Sequence, residues 1–141
     1  MATNVDTILF DTSAALAYVD PDNPCHASVR LATGSASRGL SGHAAFEFLS
    51  VVTRLPLPKR VHATDAARLA RTEFPASRHL PDTVATDLVD EFANLGITGG
   101  AVYDGLVGAC ARHYGMTLIT CDQRAEETYR RLGVAYSLIL A

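Results

Sequence analysis

Residues 103–122 read YDGLVGACARHYGMTLITCD, and this stretch decides the fold class. Its first half places small and apolar residues, from Leu106 to Ala111, along one side of a helix. Gly115 then supplies a left-handed helix stop, and residues 117–120 are typical of a short buried strand. Helix, glycine and strand in this order form half of a βαβ unit. The stretch therefore predicts an α/β protein with a parallel sheet.

Three carboxylates lie at the ends of predicted elements. Residues 7–10 (TILF) predict an opening strand that runs directly into Asp11. Asp104 lies in the first turn of the central helix, and Asp122 comes just after the strand that follows it. Ligands of open α/β sheets collect outside the carboxyl ends of the strands. These acids are therefore candidates for one site.

A fourth acid, Glu47, lies inside an apolar helix that we predict from residue 41 or 43 to about residue 55. Phe46 and Phe48 flank it. Ser41 is too distant for a capping box, which needs a spacing of three residues. Glu47 is therefore either a partner of the helix macrodipole or a functional acid.

The remaining pattern predicts further helices at 14–19, 25–32, 64–74, 82–94 and 125–132, and a last strand at 134–139. Thr12 or Ser13 is expected to cap the first of these helices, and Thr64 the third. Leu31 and Val89 are expected to face inward. Residues 34–39, rich in Gly and Ser, predict a flexible connection, and Leu40 and Ser41 predict the tail of a short strand.

Composition bounds the class of protein. The 141 residues fit one domain, 1–141, and a content of 48% apolar against 19% charged residues argues against disorder. No run approaches the ~18 apolar residues of a membrane span, and the N-terminus lacks the pattern of a signal peptide, so a cytoplasmic protein is expected. Cys25, Cys110 and Cys121 lack metal-site spacing and are predicted to be small buried hydrophobes. The net charge of −3 excludes a general basic field for nucleic acid, so any such binding depends on local patches.

Four acids that converge without matching cations repel one another, and such a cluster usually holds a divalent metal ion. Hard oxygen ligands suit Mg²⁺ or Mn²⁺. The chemistry indicated is metal-assisted hydrolysis of a phosphodiester. Taken singly, Asp11 could be an N-cap, Asp104 a dipole partner and Asp122 a turn residue. Their joint placement with Glu47 favours the functional interpretation.

At these residues the sequence resembles the PIN-domain ribonucleases, and in size and layout it resembles the VapC-type toxins of bacterial toxin–antitoxin pairs. The matching segments cover nearly the whole chain: LFDTS at 9–13, Glu47 in its apolar helix, YDGLVGA at 103–109, LITCDQRA at 118–125 and TYRRLGV at 128–134. The resemblance implies a three-layer α/β/α sandwich around a central parallel sheet. In one departure, Gly105 stands where relatives commonly have Ala.

By the pattern of this family, Asp11 and Asp104 would be the main ligands of Mg²⁺ or Mn²⁺. Glu47 and Asp122 would complete the pocket and help to activate the attacking water. Ser13 and Thr120 would be hydroxyls behind these acids, or simply a helix cap and a strand end. The resemblance further implies a homodimer, a cognate VapB-like antitoxin whose C-terminal segment enters the groove, and structured RNA such as tRNA or rRNA as substrate.

Basic residues near the pocket are candidates for contact with the RNA backbone, although each also suits a surface ion pair. They are Arg112, Arg124 and the group Arg54, Lys59 and Arg60. His43 and His113 are expected to be structural, because this hydrolysis needs no histidine.

Other families with an Asp after the first strand fit less well. A haloacid-dehalogenase-type phosphatase needs a second Asp where Ser13 stands, and a receiver domain needs a late Lys, whereas the only Lys is Lys59. The remaining alternative is a PIN-like module that binds RNA or protein without cutting. Four acids argue against it, because negative charge near phosphate weakens binding.

Overall fold

The computed structural model describes residues 6–141, which form four strands and seven α-helices. The strands are β1 (Thr7–Phe10), β2 (Ser37–Leu40), β3 (Thr117–Thr120) and β4 (Tyr136–Leu138). The helices are α1 (Thr12–Val19), α2 (His26–Thr33), α3 (Ala44–Val52), α4 (Ala63–Glu73), α5 (Asp82–Leu95), α6 (Ala101–Tyr114) and α7 (Glu126–Arg131), with a 3₁₀ turn at Gln123–Ala125. The expectation about a signal peptide concerns residues 1–5, which lie outside the described part. Within residues 6–141, no helix has the length and apolar character to cross a membrane.

The four strands form one parallel sheet in the order β2-β1-β3-β4. Phe10 lies opposite Leu40 of β2 on one side and Ile119 of β3 on the other. The two central strands are therefore neighbours although most of the chain runs between them. Their carboxyl ends meet at one edge of the sheet, and this edge is followed by Asp11 on one strand and by Asp122 on the other.

Helices cover both faces of the sheet, because successive strand residues point to opposite sides. Leu9 and Leu118 belong to a core packed mainly by α5, α6 and α7. Phe10 and Ile119 belong to a second core packed by α1, α2, α3 and α4. The predicted three-layer α/β/α sandwich is confirmed.

An aromatic cluster fixes the helices on the second face. The ring centroid of Phe74 lies 5.5 Å from that of Phe10, 5.6 Å from that of Phe48 and 5.8 Å from that of Tyr18. Such edge-on pairs are worth about 0.5–1.5 kcal/mol each beyond the burial of their area. The cluster holds α1 and α3, which bear site residues, against the end of β1.

The central stretch folds as its pattern predicts. Helix α6 ends at Gly115, which adopts φ 64°, and β3 covers residues 117–120. Helix α5 likewise ends at Gly96 with φ 68°. Both glycines lie in the left-handed region that other residues avoid.

The flexible connection predicted at residues 34–39 is wrong from Ser37 on, because Ser37–Leu40 forms the edge strand β2, of which only the tail at Leu40 was predicted. Gly39 makes this packing feasible, since a Cβ added there would lie 2.2 Å from the carbonyl carbon of Ala76. Neither Ser, Arg nor Gly is a strong strand former, so propensity gave no signal. The contact with the segment after α4 decides the conformation.

Several orientations and boundaries also differ from expectation. Leu31 and Val89 are exposed by 85% and 72%, because α2 buries the stripe of Val29 and Thr33 and α5 the stripe of Leu88 and Phe92. Smaller shifts affect the other elements: α3 stops at Val52, His62 rather than Thr64 occupies the N-cap position of α4, and the final strand contracts to Tyr136–Leu138. Cys110 is buried as predicted, whereas Cys25 and Cys121 are partly exposed.

Candidate active site

A small cavity of about 70 Å³ opens at the carboxyl ends of β1 and β3. All four predicted acids line it. The complete lining is Asp11, Thr12, Ser13, Glu47, Asp104, Val107, Asp122 and Tyr129. The volume admits only a few water-sized groups. The cavity therefore suits an ion or one phosphate group rather than a whole nucleotide.

Asp11 is the most buried of these acids, with 5% of its surface exposed. Its Oδ1 accepts hydrogen bonds from the Ser13 hydroxyl at 2.6 Å and from the backbone N–H of Ala14 at 3.0 Å. Its Oδ2 accepts a hydrogen bond from the Tyr129 hydroxyl at 2.9 Å. Burial raises the pKa of Asp11, and these hydrogen bonds, led by that of Ser13, oppose the rise.

The bond from Ala14 makes Asp11 the N-cap of α1, so the expected cap at Thr12 or Ser13 is wrong. Both hydroxyl residues lie one or two positions inside the helix. The same carboxylate therefore starts the helix and lines the cavity, and the two interpretations of Asp11 are compatible.

The hydroxyls of Ser13 and Thr120 lie behind the carboxylates. Ser13 Oγ accepts a hydrogen bond from the Cys121 N–H at 2.9 Å, and Thr120 Oγ1 accepts one from the Asp122 N–H at 3.1 Å. The two hydroxyl oxygens are 3.4 Å apart. These contacts join the end of β1 to the end of β3 and fix the separation of the acids that follow.

Asp104 lies in the first turn of α6 and faces the other three acids. Its pKa is raised to about 6, chiefly by burial and then by the charges of Asp122, Asp11 and Glu47. Arg124 opposes the rise. Asp104 is therefore the acid on which mutual repulsion acts most clearly.

Glu47 and Asp122 line the cavity and are partly exposed, with 38% and 32% of their side-chain surface accessible. Glu47, in the first turn of α3, accepts a long hydrogen bond of 3.4 Å from the Thr12 hydroxyl. Its other oxygen lies 3.6 Å from His43 Nε2. Asp122 Oδ1 accepts a hydrogen bond from the Arg124 N–H at 2.9 Å, and its carboxylate lies 3.5 Å from the Arg124 guanidinium.

Comparison with known proteins matches residues 8–131 to the PIN domain. The chain belongs to the PIN-domain family. It is 40% identical over 124 residues to Ribonuclease VapC27 of Mycobacterium tuberculosis, a match that covers 88% of this chain and 90% of that protein. Ribonuclease VapC40 of the same species is 40% identical over 118 residues, 81% of this chain and 87% of that protein. The VapC-type resemblance is confirmed.

Two solved structures share the PIN-domain fold. VapBC2 of Rickettsia felis, bound to a DNA fragment from its promoter, aligns with a TM-score of 0.62 and 14% identity over 96% of this chain and 97% of that one. FitAB bound to an IR36 DNA fragment aligns with a TM-score of 0.63 and 21% identity over 93% and 94%. At these identities the structures support the fold alone.

Tyr129 also lines the cavity, although its sequence pattern indicated no role in the site. It lies on the buried side of α7, and burial together with the nearby charge of Asp11 raises the pKa of its phenol. A buried tyrosine hydroxyl normally has a hydrogen-bond partner. That rule indicates a polar contact for Tyr129, but only the fold identifies Asp11 as the partner.

The basic residues predicted to contact the RNA backbone differ in whether they are free to bind a phosphate. Arg112 forms two hydrogen bonds of 2.8 Å with Glu91 and one of 2.9 Å with the Leu132 carbonyl, and Lys59 pairs with Asp20 and Asp22. These two are structural. Arg54 and Arg60 are exposed but do not line the cavity, whereas Arg124 is 94% exposed beside Asp122. Arg124 is therefore the best-placed cation for a phosphate at this PIN-domain site.

The donor set suits a hard divalent cation. Within residues 6–141, no three His, Cys, Asp or Glu side chains already form a close metal-ligand group. However, four carboxylates surround one small cavity, and the raised pKa of Asp104 shows that their charges are incompletely balanced. Mg²⁺ commonly keeps several waters and binds through one or two carboxylates. The residues of this PIN domain therefore fit Mg²⁺ or Mn²⁺.

Proposed function

We propose that this PIN-domain protein is a Mg²⁺-dependent endoribonuclease that acts as the toxin of a toxin–antitoxin pair. The observation that carries the proposal is the convergence of four carboxylates on one cavity at the carboxyl ends of β1 and β3. The names of two relatives at 40% identity, both ribonucleases, support RNA as the substrate. Mn²⁺ is a chemically equivalent cofactor for such a site.

In this proposal Asp11 and Asp104 are the main metal ligands, and Glu47 and Asp122 complete the pocket, in part through water. A divalent cation supplies positive charge at the phosphate and lowers the pKa of water. The chain supplies the geometry around it. Ser13, Ala14 and Tyr129 hold the carboxylate of Asp11 in one orientation, so this ligand needs little reorganisation on binding.

The other groups act on the nucleophile and the substrate. Glu47 and Asp122 lie at the opening and accept hydrogen bonds from the attacking water, which keeps its lone pair directed at phosphorus. The exposed guanidinium of Arg124 contacts a phosphate oxygen of the RNA. Catalysis then rests on the acids and on Arg124, and no histidine is required.

The proposed partners follow the VapC-type family. The 40% identity to the VapC27 and VapC40 ribonucleases supports a VapC-type toxin, and we propose for it a cognate VapB-like antitoxin whose C-terminal segment enters the groove. We further propose a homodimer, structured RNA such as tRNA or rRNA as the substrate, and action in the cytoplasm.

Removal of single carboxylates tests the site. Asp11→Asn and Asp104→Asn are each expected to lower RNA cleavage at least ~10³-fold and to abolish toxicity, because each removes a charged ligand. Asp90→Asn, which changes an exposed acid on α5, is the matched control and should retain full activity. Cleavage assays with purified protein and circular dichroism on each variant make the comparison. Full activity in either site variant would refute the assignment.

Metal dependence has its own test. EDTA should stop cleavage by the wild-type protein, and added Mg²⁺ or Mn²⁺ should restore it, whereas Ca²⁺ should restore much less because it prefers a larger coordination shell. Cleavage that continues in EDTA after exhaustive dialysis would contradict the mechanism.

The substrate can be found in cells. Wild type and Asp104→Asn are expressed side by side, total RNA is recovered and new 5′ ends are mapped. Growth arrest with a discrete new end only in the wild type is the expected result. Arrest without any new end in both strains would favour the alternative, a PIN-like module that binds RNA or protein without cutting.

A further inference from the structure

The surface beside the cavity carries an exposed aromatic ring. Tyr103 immediately precedes Asp104 in the first turn of α6, and 53% of its surface is exposed. A tyrosine ring combines a large apolar surface with a polar hydroxyl, so it can bind a flat partner at a surface that is partly wet.

The ring of Tyr103 is held in a defined position. It stacks on the ring of His43, with centroids 5.0 Å apart and planes inclined by 21°. His43 in turn lies with Nε2 3.6 Å from Glu47, which lines the cavity. Tyr103 is thus connected to the site on two sides: by the backbone to Asp104 and by the His43 ring to Glu47.

The size of the cavity separates the binding of phosphate from the binding of a base. With a volume of about 70 Å³, it accepts a phosphate group but leaves the attached nucleoside outside. A base next to the bond being cut therefore lies outside the cavity, and the ring of Tyr103, which adjoins Asp104 and stacks on His43, offers it a flat surface. Unpaired bases of RNA are commonly bound by stacking on such rings.

The charge of the protein also favours a contact with a base. Within residues 6–141, six of the twelve cations besides Arg124 are paired with carboxylates, namely Arg38, Lys59, Arg68, Arg112, Arg130 and Arg131. With a net charge of −3, phosphate contacts alone give little affinity for RNA. Stacking supplies affinity that does not depend on charge.

We propose that Tyr103, supported by His43, is a substrate-binding residue that stacks on an unpaired base adjacent to the scissile phosphate. The inference rests on the proposed ribonuclease function and adds the residue that would hold a base beside the cut. A ring face accepts any base, so this contact selects an unpaired nucleotide rather than a sequence.

The test compares Tyr103→Leu with Tyr103→Phe on a short RNA that spans the cut mapped in cells. Tyr103→Leu keeps an apolar side chain but removes the ring, and KM should rise roughly 10-fold with kcat within about twofold. Tyr103→Phe retains the ring and should behave as wild type. Tyr114→Leu, at the other end of α6, is the control and should leave KM unchanged.

A second measurement identifies the base. With wild-type protein, an abasic nucleotide next to the cut should raise KM about as much as Tyr103→Leu does with the intact RNA. The two changes together should raise KM no more than either one alone. Fully additive losses, or an unchanged KM in Tyr103→Leu while wild type cleaves, would overturn the proposal and leave the ribonuclease assignment intact. Loss of dimerisation or of antitoxin binding with unchanged KM would assign Tyr103 to a protein contact instead. A wild type that cleaves no RNA would remove the proposed function and this inference together.

Discussion

Tyr129 donates a hydrogen bond of 2.9 Å to Oδ2 of the buried Asp11 carboxylate. Tyr129→Phe keeps the ring and removes this donor, and the loss of a donor to a buried acceptor costs about 1–3 kcal/mol. We expect the free energy of unfolding to fall by about 1–2 kcal/mol and cleavage to fall ~10-fold, because the orientation of Asp11 is lost. Urea unfolding and kcat/KM measure the two effects.

The control for this change is Tyr136→Phe, which removes a hydrogen bond of 2.7 Å to Glu126 away from the cavity. Its activity should match wild type even if its stability declines slightly. Equal activity in Tyr129→Phe and wild type would show that Tyr129 serves packing alone.

Asp104 carries a cost in stability for the folded protein without metal. Its pKa rises from 3.8 to about 6 on folding, so its charge opposes folding. The loss of folding free energy is absent below pH 3.8, grows between pH 3.8 and about 6, and is complete above about pH 6. The substitution that should abolish cleavage, Asp104→Asn, should therefore stabilise the metal-free protein.

We expect a gain of about 1 kcal/mol at pH 7.5 after allowance for the partial exposure of the carboxylate. The gain should be smaller at pH 5. Thermal unfolding in EDTA at both pH values provides the measurement, with Asp90→Asn as the exposed control. An Asp104→Asn variant that is less stable than wild type at pH 7.5 would contradict this account of the repulsion.

At the scale of elements, α6 approaches α7 through Gly108. A Cβ at this position would lie 2.9 Å from Cδ1 of Tyr129 and 3.1 Å from Val134. In Gly108→Ala the ring of Tyr129 must move, so its hydroxyl is displaced from Asp11. We expect a ~10-fold loss of cleavage with a stability change of at most about 1–2 kcal/mol, because helix propensity offsets part of the overpacking.

Gly100→Ala is the matched control, since no atom lies within 4 Å of the added Cβ. Gly100 is the N-cap residue of α6, so cleavage assays and thermal unfolding on both variants separate the effect on Tyr129 from the effect of a Gly→Ala change elsewhere near this helix. Wild-type activity in Gly108→Ala would show that the contact between the helices adapts without loss.

The elements also show what a sequence can predict. Apolar periodicity, a glycine stop and a β-branched run gave α6 and β3 correctly, because local conformation and burial agree there. Only the end of strand β2 was predicted, at Leu40, since the conformation of residues 37–39 depends on contact with the segment after α4. Helix faces were harder: one step of 100° separates buried Leu88 from exposed Val89, and a short pattern does not resolve that step.

The site, too, could be predicted only in part. The four acids could be predicted as a group, because each follows a strand or begins a helix at the edge where parallel strands end. Their contacts could not be predicted. The hydrogen bond from Tyr129 to Asp11 joins the two ends of the chain, and the stacking of Tyr103 on His43 joins α6 to α3, so both depend on tertiary packing.

For the whole molecule, the pairing of most cations sets how salt affects RNA binding. With few free cations near the cavity, we expect the slope of log Kd against log salt for the binding of single-stranded RNA to correspond to only about one to three phosphate contacts. Arg124→Gln should reduce that slope by about 0.7 if Arg124 contacts one phosphate.

Both slopes are measured by fluorescence anisotropy in the non-cleaving background Asp104→Asn, with and without Arg124→Gln. KCl is varied from about 50 to about 300 mM, a range in which the affinity of phosphate contacts depends strongly on salt. Arg68→Gln, which changes an exposed residue of α4, is the control. A steep slope that Arg124→Gln leaves unchanged would point to a basic surface elsewhere on the molecule.

The central pair of strands joins segments that are far apart in the chain, and this has a consequence during translation. Asp11 is made long before Asp122 and Tyr129. A nascent chain that ends before β3 lacks the neighbour on which β1 depends. If the protein is the toxin proposed above, a ribosome that makes it meets no complete active site until residues 117–129 have been made.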